Sequence, residues 1–258
     1  MKNILIIPDK DNINRDLELV DKYSVGFEYN DFFNPSIIDD VCKVKELVDF
    51  YNENNSNIYS TCHGCFYDVI PFSIDEKIKE IALLRIEQSI DVSKRLGAKG
   101  VVFNTNYNSF FKAEAYIEQW LDLNTVFWGN ILIKHNDINI YIENMFEENP
   151  DVIEQLAQRL CHYQNFGICL DYAHAAIGQV APEEWARRIG KYVKHIHIND
   201  NDLINDLHLS WGKGKIEREK FYNAYDKYMN GATVLVENTL YDDKVKSLEV
   251  LKDEGFII

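Results

Sequence analysis

The sequence has 258 residues, with 42 acidic against 27 basic side chains and a formal net charge of −15 at pH 7. Proteins that bind nucleic-acid backbones or anionic membranes normally present a basic face, because counterion release supplies much of the affinity. No apolar run approaches the roughly 20 residues of a membrane span, and the start, MKNILIIPDK, lacks a signal-peptide pattern. We therefore expect a cytoplasmic protein that acts on a small molecule, with neither nucleic acid nor membrane as partner.

The five cysteines do not form a disulfide framework. They are odd in number and unevenly spread, at Cys42, Cys62, Cys65, Cys161 and Cys169. Cys62 and Cys65 form a C-x-x-C motif, but this motif closes a strand-like run instead of opening a helix. We therefore interpret Cys62 and Cys65 as two buried or half-buried free thiols.

Short runs of β-branched residues alternate with longer helical patterns along the whole chain. The predicted strands are Asn3 to Pro8, Ser24 to Tyr29, Asn57 to His63, Lys99 to Asn104, Asn139 to Glu143, Phe166 to Asp171, Tyr192 to Ile198 and Ala232 to Glu237. The clearest predicted helix runs from Asp75 to Leu96, where apolar residues recur near a 3.6-residue period and Gly97 supplies the end. Another helix is predicted to begin at Pro182, with two glutamates in its first turn.

This alternation predicts a single-domain (β/α)8 TIM barrel of the α/β class over residues 1–258. About eight βα units in about 250 residues is the usual size of that fold, and no linker divides the chain. A doubly wound open sheet produces the same alternation, but it would usually carry a glycine-rich turn after its first strand. Here that turn reads PDKDNINRD, without glycine.

Each of the last four predicted strands carries, at or next to its C-terminal end, a side chain of a kind that can bind a metal ion. They are Glu143, Asp171, His197 and Glu237, spaced at about one βα unit each. A barrel enzyme presents its chemistry at the C-terminal ends of its strands, so we expect the four to converge. Any one of them alone could be a helix N-cap, but all four lie in phase with inward positions such as Tyr141. Three carboxylates and one imidazole suit Mn²⁺, Mg²⁺, Co²⁺ or Zn²⁺, and the carboxylate majority favours the harder ions.

A second group of polar side chains accompanies these four. His63 ends the third predicted strand, His174 follows the sixth, and Asp206 and His208 lie in the loop after the seventh. His174, Asp206 and His208 could form a second Zn²⁺ site or bind substrate hydroxyls, and we favour the hydroxyls. His195 is interpreted as a core histidine and not a ligand.

The segments LDYAHA, KHIHINDND and DLHLSWGKGKI resemble the xylose isomerase-like TIM barrel superfamily. This superfamily includes sugar-phosphate isomerases and epimerases and the endonuclease IV type of DNA-repair enzyme. The stretch RIEQSIDVSKRLGAKGVVFN is similar to its fourth βα unit. The resemblance implies that Glu143, Asp171, His197 and Glu237 are the principal metal ligands and that the two glutamates also act as acid and base. It further implies that His174 binds substrate.

Two positions depart from the family pattern. Asn104 stands where the endonucleases have a histidine that binds one of the ions of their three-zinc cluster. Because an amide oxygen is a poor zinc ligand, a three-zinc cluster is disfavoured in this protein. Gly212-Lys213-Gly214 replaces a frequent Gly-Glu-Gly, and Lys213 could either meet a substrate phosphate or remain solvated. Trp211 and other aromatic residues predicted in the mouth loops, Phe32, Phe33, Tyr107 and Phe110, could stack on a sugar face or simply pack the loops.

Together these features predict a metal-dependent isomerase or epimerase of a small sugar, sugar phosphate or related polyhydroxy carbonyl compound. The expected mechanism is proton exchange by Glu143 and Glu237 through a metal-stabilised enediolate, with His174 and Asn104 orienting hydroxyls. The alternatives are a hydride shift, a metal-dependent lyase or hydrolase such as an inosose dehydratase or DNA-repair phosphodiesterase, and a non-catalytic sugar-binding barrel. The sequence leaves both a monomer and a homo-oligomer open.

Overall fold

Eight parallel strands form one closed barrel in the computed structural model, which describes residues 2–54, 58–66 and 68–257. The strands are β1 (Ile4–Ile6), β2 (Gly26–Tyr29), β3 (Ser60–His63), β4 (Gly100–Asn104), β5 (Asn139–Glu143), β6 (Phe166–Asp171), β7 (Val193–Ile198) and β8 (Thr233–Val236). Each strand pairs with the next along the chain, and β1 pairs with β8. This confirms the predicted barrel and excludes the open sheet.

The strands lie where the sequence predicts them, and the main difference is their length. β5 and β6 span the predicted residues, whereas the others begin one to three residues later than predicted. In β1, β2, β4, β7 and β8, the first one or two residues of the predicted run lie in the segments that lead into the barrel. The predicted third strand began at Asn57, which lies outside the described residues.

Helices cover the outside of the barrel. Their bounds are α1 (Ile13–Tyr23), α2 (Pro35–Ile38), α3 (Val41–Asn54), α4 (Glu76–Arg95), α5 (Glu114–Lys134), α6 (Asp151–Leu160), α7 (Tyr172–Ile177), α8 (Pro182–Ile189), α9 (Arg218–Ala224) and α10 (Tyr241–Asp253). The side chain of Asp75 caps α4 by accepting the backbone N–H of Lys77 at 2.9 Å, and Gly97 follows the helix with a φ of 68°. The two helices predicted from sequence, α4 and α8, are thus confirmed. Within the described part of the chain, no helix has the length and apolar character needed to span a bilayer.

The interior of the barrel changes from apolar to polar towards the C-terminal ends of the strands, which we call the mouth. Leu5, Ile7 and Leu235 form an apolar cluster inside the barrel. Residues alternate inward with a period of two, so that one layer of inward side chains is followed by a second layer two residues later. The deeper layer includes Val102, Tyr141, Cys169 and His195, and the upper one includes Asn104, Glu143, Asp171 and His197. The strand register therefore places the predicted metal ligands at the mouth.

Candidate metal and substrate site

Three of the four predicted ligands form a compact trio at the mouth, and the fourth adjoins it. Ligand atoms of Glu143, Asp171 and His197 lie within 4.8 Å of one another, and all three side chains are buried. Nδ1 of His197 lies 3.0 Å from Oε1 of Glu143 and 3.9 Å from Oε1 of Glu237. We refer to Glu143, Asp171 and His197 as the ligand trio.

Local hydrogen bonds orient Asp171 within the trio. Its Oδ1 caps α7 by accepting the backbone N–H of His174 at 2.6 Å. Its backbone N–H and C=O pair with the side-chain amide of Asn144, both at 2.9 Å. Asp171 is therefore both a helix N-cap and a member of the trio, because the cap uses only one of its two carboxylate oxygens.

Two side chains contact the carboxylate of Glu143 from the neighbouring strands. Asn104 donates its amide N–H to Oε2 of Glu143 at 2.8 Å, and Nε2 of His63 lies 3.2 Å from the same oxygen. Nδ1 of His63 pairs with the backbone carbonyl of Gly64 at 3.0 Å. The orientation of Glu143 is therefore fixed from β3 and β4, while its Oε1 faces His197.

The two carboxyl groups of the trio have opposite pKa shifts. Burial raises the pKa of Asp171 to about 7. Burial also acts to raise the pKa of Glu143, but the imidazoles of His197 and His63 outweigh it and hold this pKa below its ordinary value. One carboxyl group of the site therefore titrates near neutral pH while the other stays ionised.

The trio has the chemistry of a cation site. Oδ2 of Asp171 and both ring nitrogens of His197 are buried and have no hydrogen-bond partner among the described residues. Buried polar atoms without partners are rare in native proteins because they lose their hydration without compensation, and an unseen ion is one recognised explanation. Two carboxylates and an imidazole, with a third carboxylate from Glu237 alongside, are ligands that divalent cations accept. The residues present therefore fit a divalent metal.

Asp206 joins two further histidines above the trio. Its Oδ2 lies 3.0 Å from Nε2 of His208 and 3.4 Å from Nε2 of His174. The hydrogen bond to Asp206 raises the pKa of His208 to about 9. Burial acts to lower the pKa of His174, but Asp171 and Asp206 raise it well above its ordinary value. A second zinc ion at His174, Asp206 and His208 stays a prediction.

The loop between β7 and α9, residues 199–217, delivers Asp206 and His208 to the mouth. Asp200 organises this loop, since its carboxylate accepts the backbone N–H groups of Gly212 and Ile216 at 2.9 and 3.0 Å. A side chain at Gly214 would place its Cβ 2.3 Å from the Asp200 carboxylate. The glycine therefore allows the chain to close tightly around Asp200.

A cavity of about 310 Å³ opens above the trio. Its polar wall consists of Asn30, His63, Asn104, Glu143, His174, Asp206, His208 and Glu237, and its apolar wall consists of Phe33, Phe66, Met145 and Phe146. A second cavity of about 400 Å³ lies at the other end of the barrel, beside Lys2, Tyr225 and Phe256. Its described lining contains no carboxylate or imidazole side chain, so the mouth cavity is the candidate site.

Two residues predicted to bind substrate do not line this cavity. Trp211 is buried in the core, where its ring packs on Phe221 and its indole N–H donates to the hydroxyl of Tyr222 at 3.0 Å. Lys213 is exposed on the loop and is not part of the cavity wall. Trp211 was predicted at the mouth because it follows β7, and Lys213 because it stands in place of the glutamate of a frequent Gly-Glu-Gly. The loop instead folds around Asp200, and neither side chain lines the cavity.

Sequence analysis missed Glu28, a fully buried carboxylate beneath the trio. Its two oxygens lie 3.2 Å from Nε2 of His197 and 2.9 Å from Nε2 of His195. A lone glutamate in the middle of the short buried run GFEY was the available signal, because a buried charge needs a partner. His195 itself is buried and paired through both ring nitrogens, as a core histidine should be.

The chain is similar to several known proteins. The family model described as xylose isomerase-like TIM barrel matches residues 23–252. The uncharacterised protein MJ1311 of Methanocaldococcus jannaschii is 26% identical over 201 residues, which cover 74% of this chain and 68% of the relative.

Solved structures match over nearly the whole chain. The TTHB071 protein of Thermus thermophilus, soaked with ZnCl2, has a TM-score of 0.77 at 21% identity and 99% coverage of both chains. A D-tagatose 3-epimerase-like protein has a TM-score of 0.76 at 21% identity, covering 98% of this chain and 96% of its own. D-psicose 3-epimerase and L-ribulose 3-epimerase share the fold. At such identities these structural likenesses establish the fold alone, whereas the family model covers most of the sequence. The chain belongs to the xylose isomerase-like TIM barrel family.

Proposed function

We propose that this protein is a metal-dependent epimerase or isomerase of a small, uncharged polyhydroxy carbonyl compound such as a free ketose. The observation that carries the proposal is the convergence of the ligand trio and Glu237 beside a cavity of about 310 Å³, which Glu143 and Glu237 line and behind which Asp171 and His197 are fully buried. The sugar epimerases among the proteins that share the fold support the same class of reaction. A cavity of this volume accepts a monosaccharide and leaves little room for a polymer.

The four predicted ligands, Glu143, Asp171, His197 and Glu237, would hold a single divalent ion, Mn²⁺, Mg²⁺, Co²⁺ or Zn²⁺. An ion bound there supplies Lewis-acid polarisation of a carbonyl oxygen, which acidifies the neighbouring C–H group. Because the trio is buried, water would not reach a bound ion from the interior of the barrel, and the low local dielectric would strengthen the charge interactions of the site. The substrate must therefore approach from the cavity.

Glu143 and Glu237 are suited to exchange the substrate proton. Both line the cavity, and they come from β5 and from the end of β8, so they approach a bound sugar from different strands. In the proposed reaction one carboxylate removes the carbon-bound proton and the other returns a proton, which accounts for about 10²–10⁴-fold of the rate. Asn104 holds the Glu143 carboxylate in one orientation throughout.

The polar wall of the cavity is suited to hydroxyl groups. Three imidazoles and one carboxylate line the space above the trio, from His63, His174, His208 and Asp206. Hydroxyl groups can both donate to carboxylates and accept from imidazoles. On the other side, Phe33, Phe66 and Phe146 offer apolar surface for the C–H face of a sugar ring or chain.

The charge of the cavity favours an unphosphorylated substrate. Its wall carries three carboxylates, from Glu143, Asp206 and Glu237, and none of its described residues is a lysine or arginine. A phosphate group would face these carboxylates without a guanidinium or ammonium group to bind it. The imidazoles of His174 and His208, whose pKa values are raised, are already paired with Asp206. Lys213, for which the sequence left open either a phosphate contact or a solvated position, lies outside the wall.

The proposal can be tested with a substrate panel and two variants. Protein loaded in turn with Mn²⁺, Mg²⁺, Co²⁺ and Zn²⁺ is incubated with free ketoses, aldoses and their phosphates in D2O, and products are followed by NMR. We expect turnover of a free sugar, with deuterium incorporated at the carbon next to the carbonyl. Sugar turnover without deuterium incorporation would indicate a hydride shift instead of the proposed proton transfer.

Glu143→Gln and Glu237→Gln should each lower kcat by about 10²–10⁴-fold. Glu147→Gln is the matched control, because Glu147 is also a buried glutamate but lies outside the cavity wall. It should retain activity within a few-fold. Equal activity in all three variants, or a wild-type protein that takes up no metal, would refute the proposed function.

A further inference from the structure

One buried carboxylate has no role in the proposed mechanism, although it lies directly against the ligand trio. Glu28, in the middle of β2, has no exposed surface. Its Oε1 lies 3.2 Å from Nε2 of His197, whereas Nδ1 of the same ring faces Glu143 at 3.0 Å. The imidazole of His197 therefore stands between Glu28 on one side and the proposed metal position on the other.

The other oxygen of Glu28 is held in place by its neighbours. Oε2 accepts the hydroxyl of Thr61 at 2.7 Å and pairs with Nε2 of His195 at 2.9 Å. His195 is fixed in turn, because its Nδ1 pairs with the hydroxyl of Thr233. The carboxylate thus has one oxygen, Oε2, engaged by two partners. Its Oε1 and Nε2 of His197 are both buried, neither has a hydrogen-bond partner among the described residues, and the two atoms lie 3.2 Å apart.

We propose that Glu28 is a positioning residue of the metal site, whose Oε1 accepts the Nε2–H of His197 and so presents the unprotonated Nδ1 to the ion. Metal-binding histidines commonly donate their second N–H to a carboxylate, which fixes the tautomer and the ring orientation and makes the metal-facing nitrogen more basic. This inference rests on the proposed function, since it requires a metal at the trio.

Two further polar side chains of the deeper layer, Cys169 and His195, lie beside His197. Both ring nitrogens of His195 already have other partners, which leaves Cys169. A thiol is only a weak hydrogen-bond acceptor, whereas an ionised carboxylate is a strong one. The geometry is also more specific for Glu28, because Thr61 and His195 leave only Oε1 available. Glu28 is therefore the partner that sets the tautomer.

The experiment compares Glu28→Gln with Glu147→Gln. Both side chains are buried glutamates that accept a threonine hydroxyl, from Thr61 and Thr105 respectively, but only Glu28 contacts the trio. Affinity for Mn²⁺ is measured by isothermal titration calorimetry on the metal-stripped proteins, and Tm is measured with and without the ion. We expect Glu28→Gln to weaken Mn²⁺ binding about 10–100-fold and to lose most of the metal-dependent rise in Tm, while Glu147→Gln binds within threefold of wild type.

A purely structural role would give another pattern. Glu28→Gln would then lower the Tm of the metal-free protein but bind Mn²⁺ as tightly as wild type, and this result would overturn the proposal while leaving the proposed function intact. If wild type itself binds no Mn²⁺ or Zn²⁺, the proposed function fails and this inference fails with it. Should Glu28→Gln not fold, ¹⁵N NMR of the zinc-loaded wild type decides: a proton on Nε2 of His197 supports the proposal, and a proton on Nδ1 overturns it.

Discussion

The first prediction concerns the ion pair between Lys244 and Asp16. Among the described ion pairs that include a lysine, it is the only one in which neither side chain has exposed surface. Lys244 of α10 reaches Asp16 of α1, with Nζ 3.0 and 3.1 Å from the two carboxylate oxygens. Asp16 also accepts the backbone N–H of Asp9 in the loop after β1. The pair therefore joins the first and last helices where the barrel closes.

The structure sets the expected cost of breaking this pair. At 3.0 Å and an effective dielectric constant of about 20, the attraction amounts to roughly 5 kcal/mol, and most of it offsets the cost of burying both charges. Lys244→Met fills the same space without charge and leaves Asp16 with only the Asp9 N–H. We expect it to lower the free energy of unfolding by about 3–5 kcal/mol, which corresponds to a fall in Tm of roughly 6–20 °C.

Urea denaturation followed by circular dichroism measures this loss, with an unchanged m-value as the check that both states are comparable. Lys112→Met is the control, since Lys112 pairs with Glu148 at 2.6 Å on the exposed surface and should cost less than about 1 kcal/mol. The double variant Asp16→Asn with Lys244→Met removes both charges but keeps an acceptor for Asp9, so it should recover more than half of the loss. Equal effects of Lys244→Met and Lys112→Met would refute this reasoning.

Three further predictions concern the site, the thiols and the barrel wall. Because burial raises the pKa of Asp171 to about 7, the metal-free site holds a proton below that pH, and a cation must displace it. Calorimetry should therefore show that Mn²⁺ affinity falls about tenfold per pH unit below pH 7. Equal affinity at pH 6 and pH 8 would contradict this prediction. A thiol reagent should label two cysteines in the native protein and five after denaturation, because Cys42 and Cys161 are exposed whereas the other three cysteines are buried. Labelling of a third cysteine in the native protein at the same rate would contradict the burial of these three thiols. Gly26→Ala should lower the free energy of unfolding by about 1–3 kcal/mol in urea denaturation, because its Cβ would lie 2.1 Å from the backbone oxygen of Tyr59; unchanged stability would show that β2 and β3 can separate without cost.

The regular part of the fold was predictable because it follows from local patterns. Strand positions follow from short β-branched runs, and α4 follows from its apolar period and its caps. The short helices α2, α7 and α9 have four to seven residues, which is too few to show a period. α7, for example, is defined mainly by the Asp171 cap and by packing against its neighbours.

The candidate site was predictable where residues lie on strands and much less so in the loops. Glu143, Asp171 and His197 occupy inward positions near the C-terminal ends of their strands, and in a closed barrel such positions face one another at the mouth. By contrast, His208 and Trp211 lie three residues apart in one loop, yet the first lines the cavity and the second is buried in the core. Hydrogen bonds to Asp200 decide this difference, and they depend on contacts between residues that no spacing rule connects.

Glu28 shows which kind of information the closed barrel adds. β2 and β7 are not neighbours in the sheet, so no pairwise register brings Glu28 to His195 and His197. Only the closure of all eight strands carries the three side chains across the interior, where Glu28 lies within 3.2 Å of a ring nitrogen of each histidine. A charge in the middle of a buried strand therefore predicts, from sequence alone, that a partner exists, and the barrel supplies the partner's identity. Since that partner is a proposed metal ligand, the same closure that buries Glu28 also links the interior of the barrel to the chemistry at its mouth.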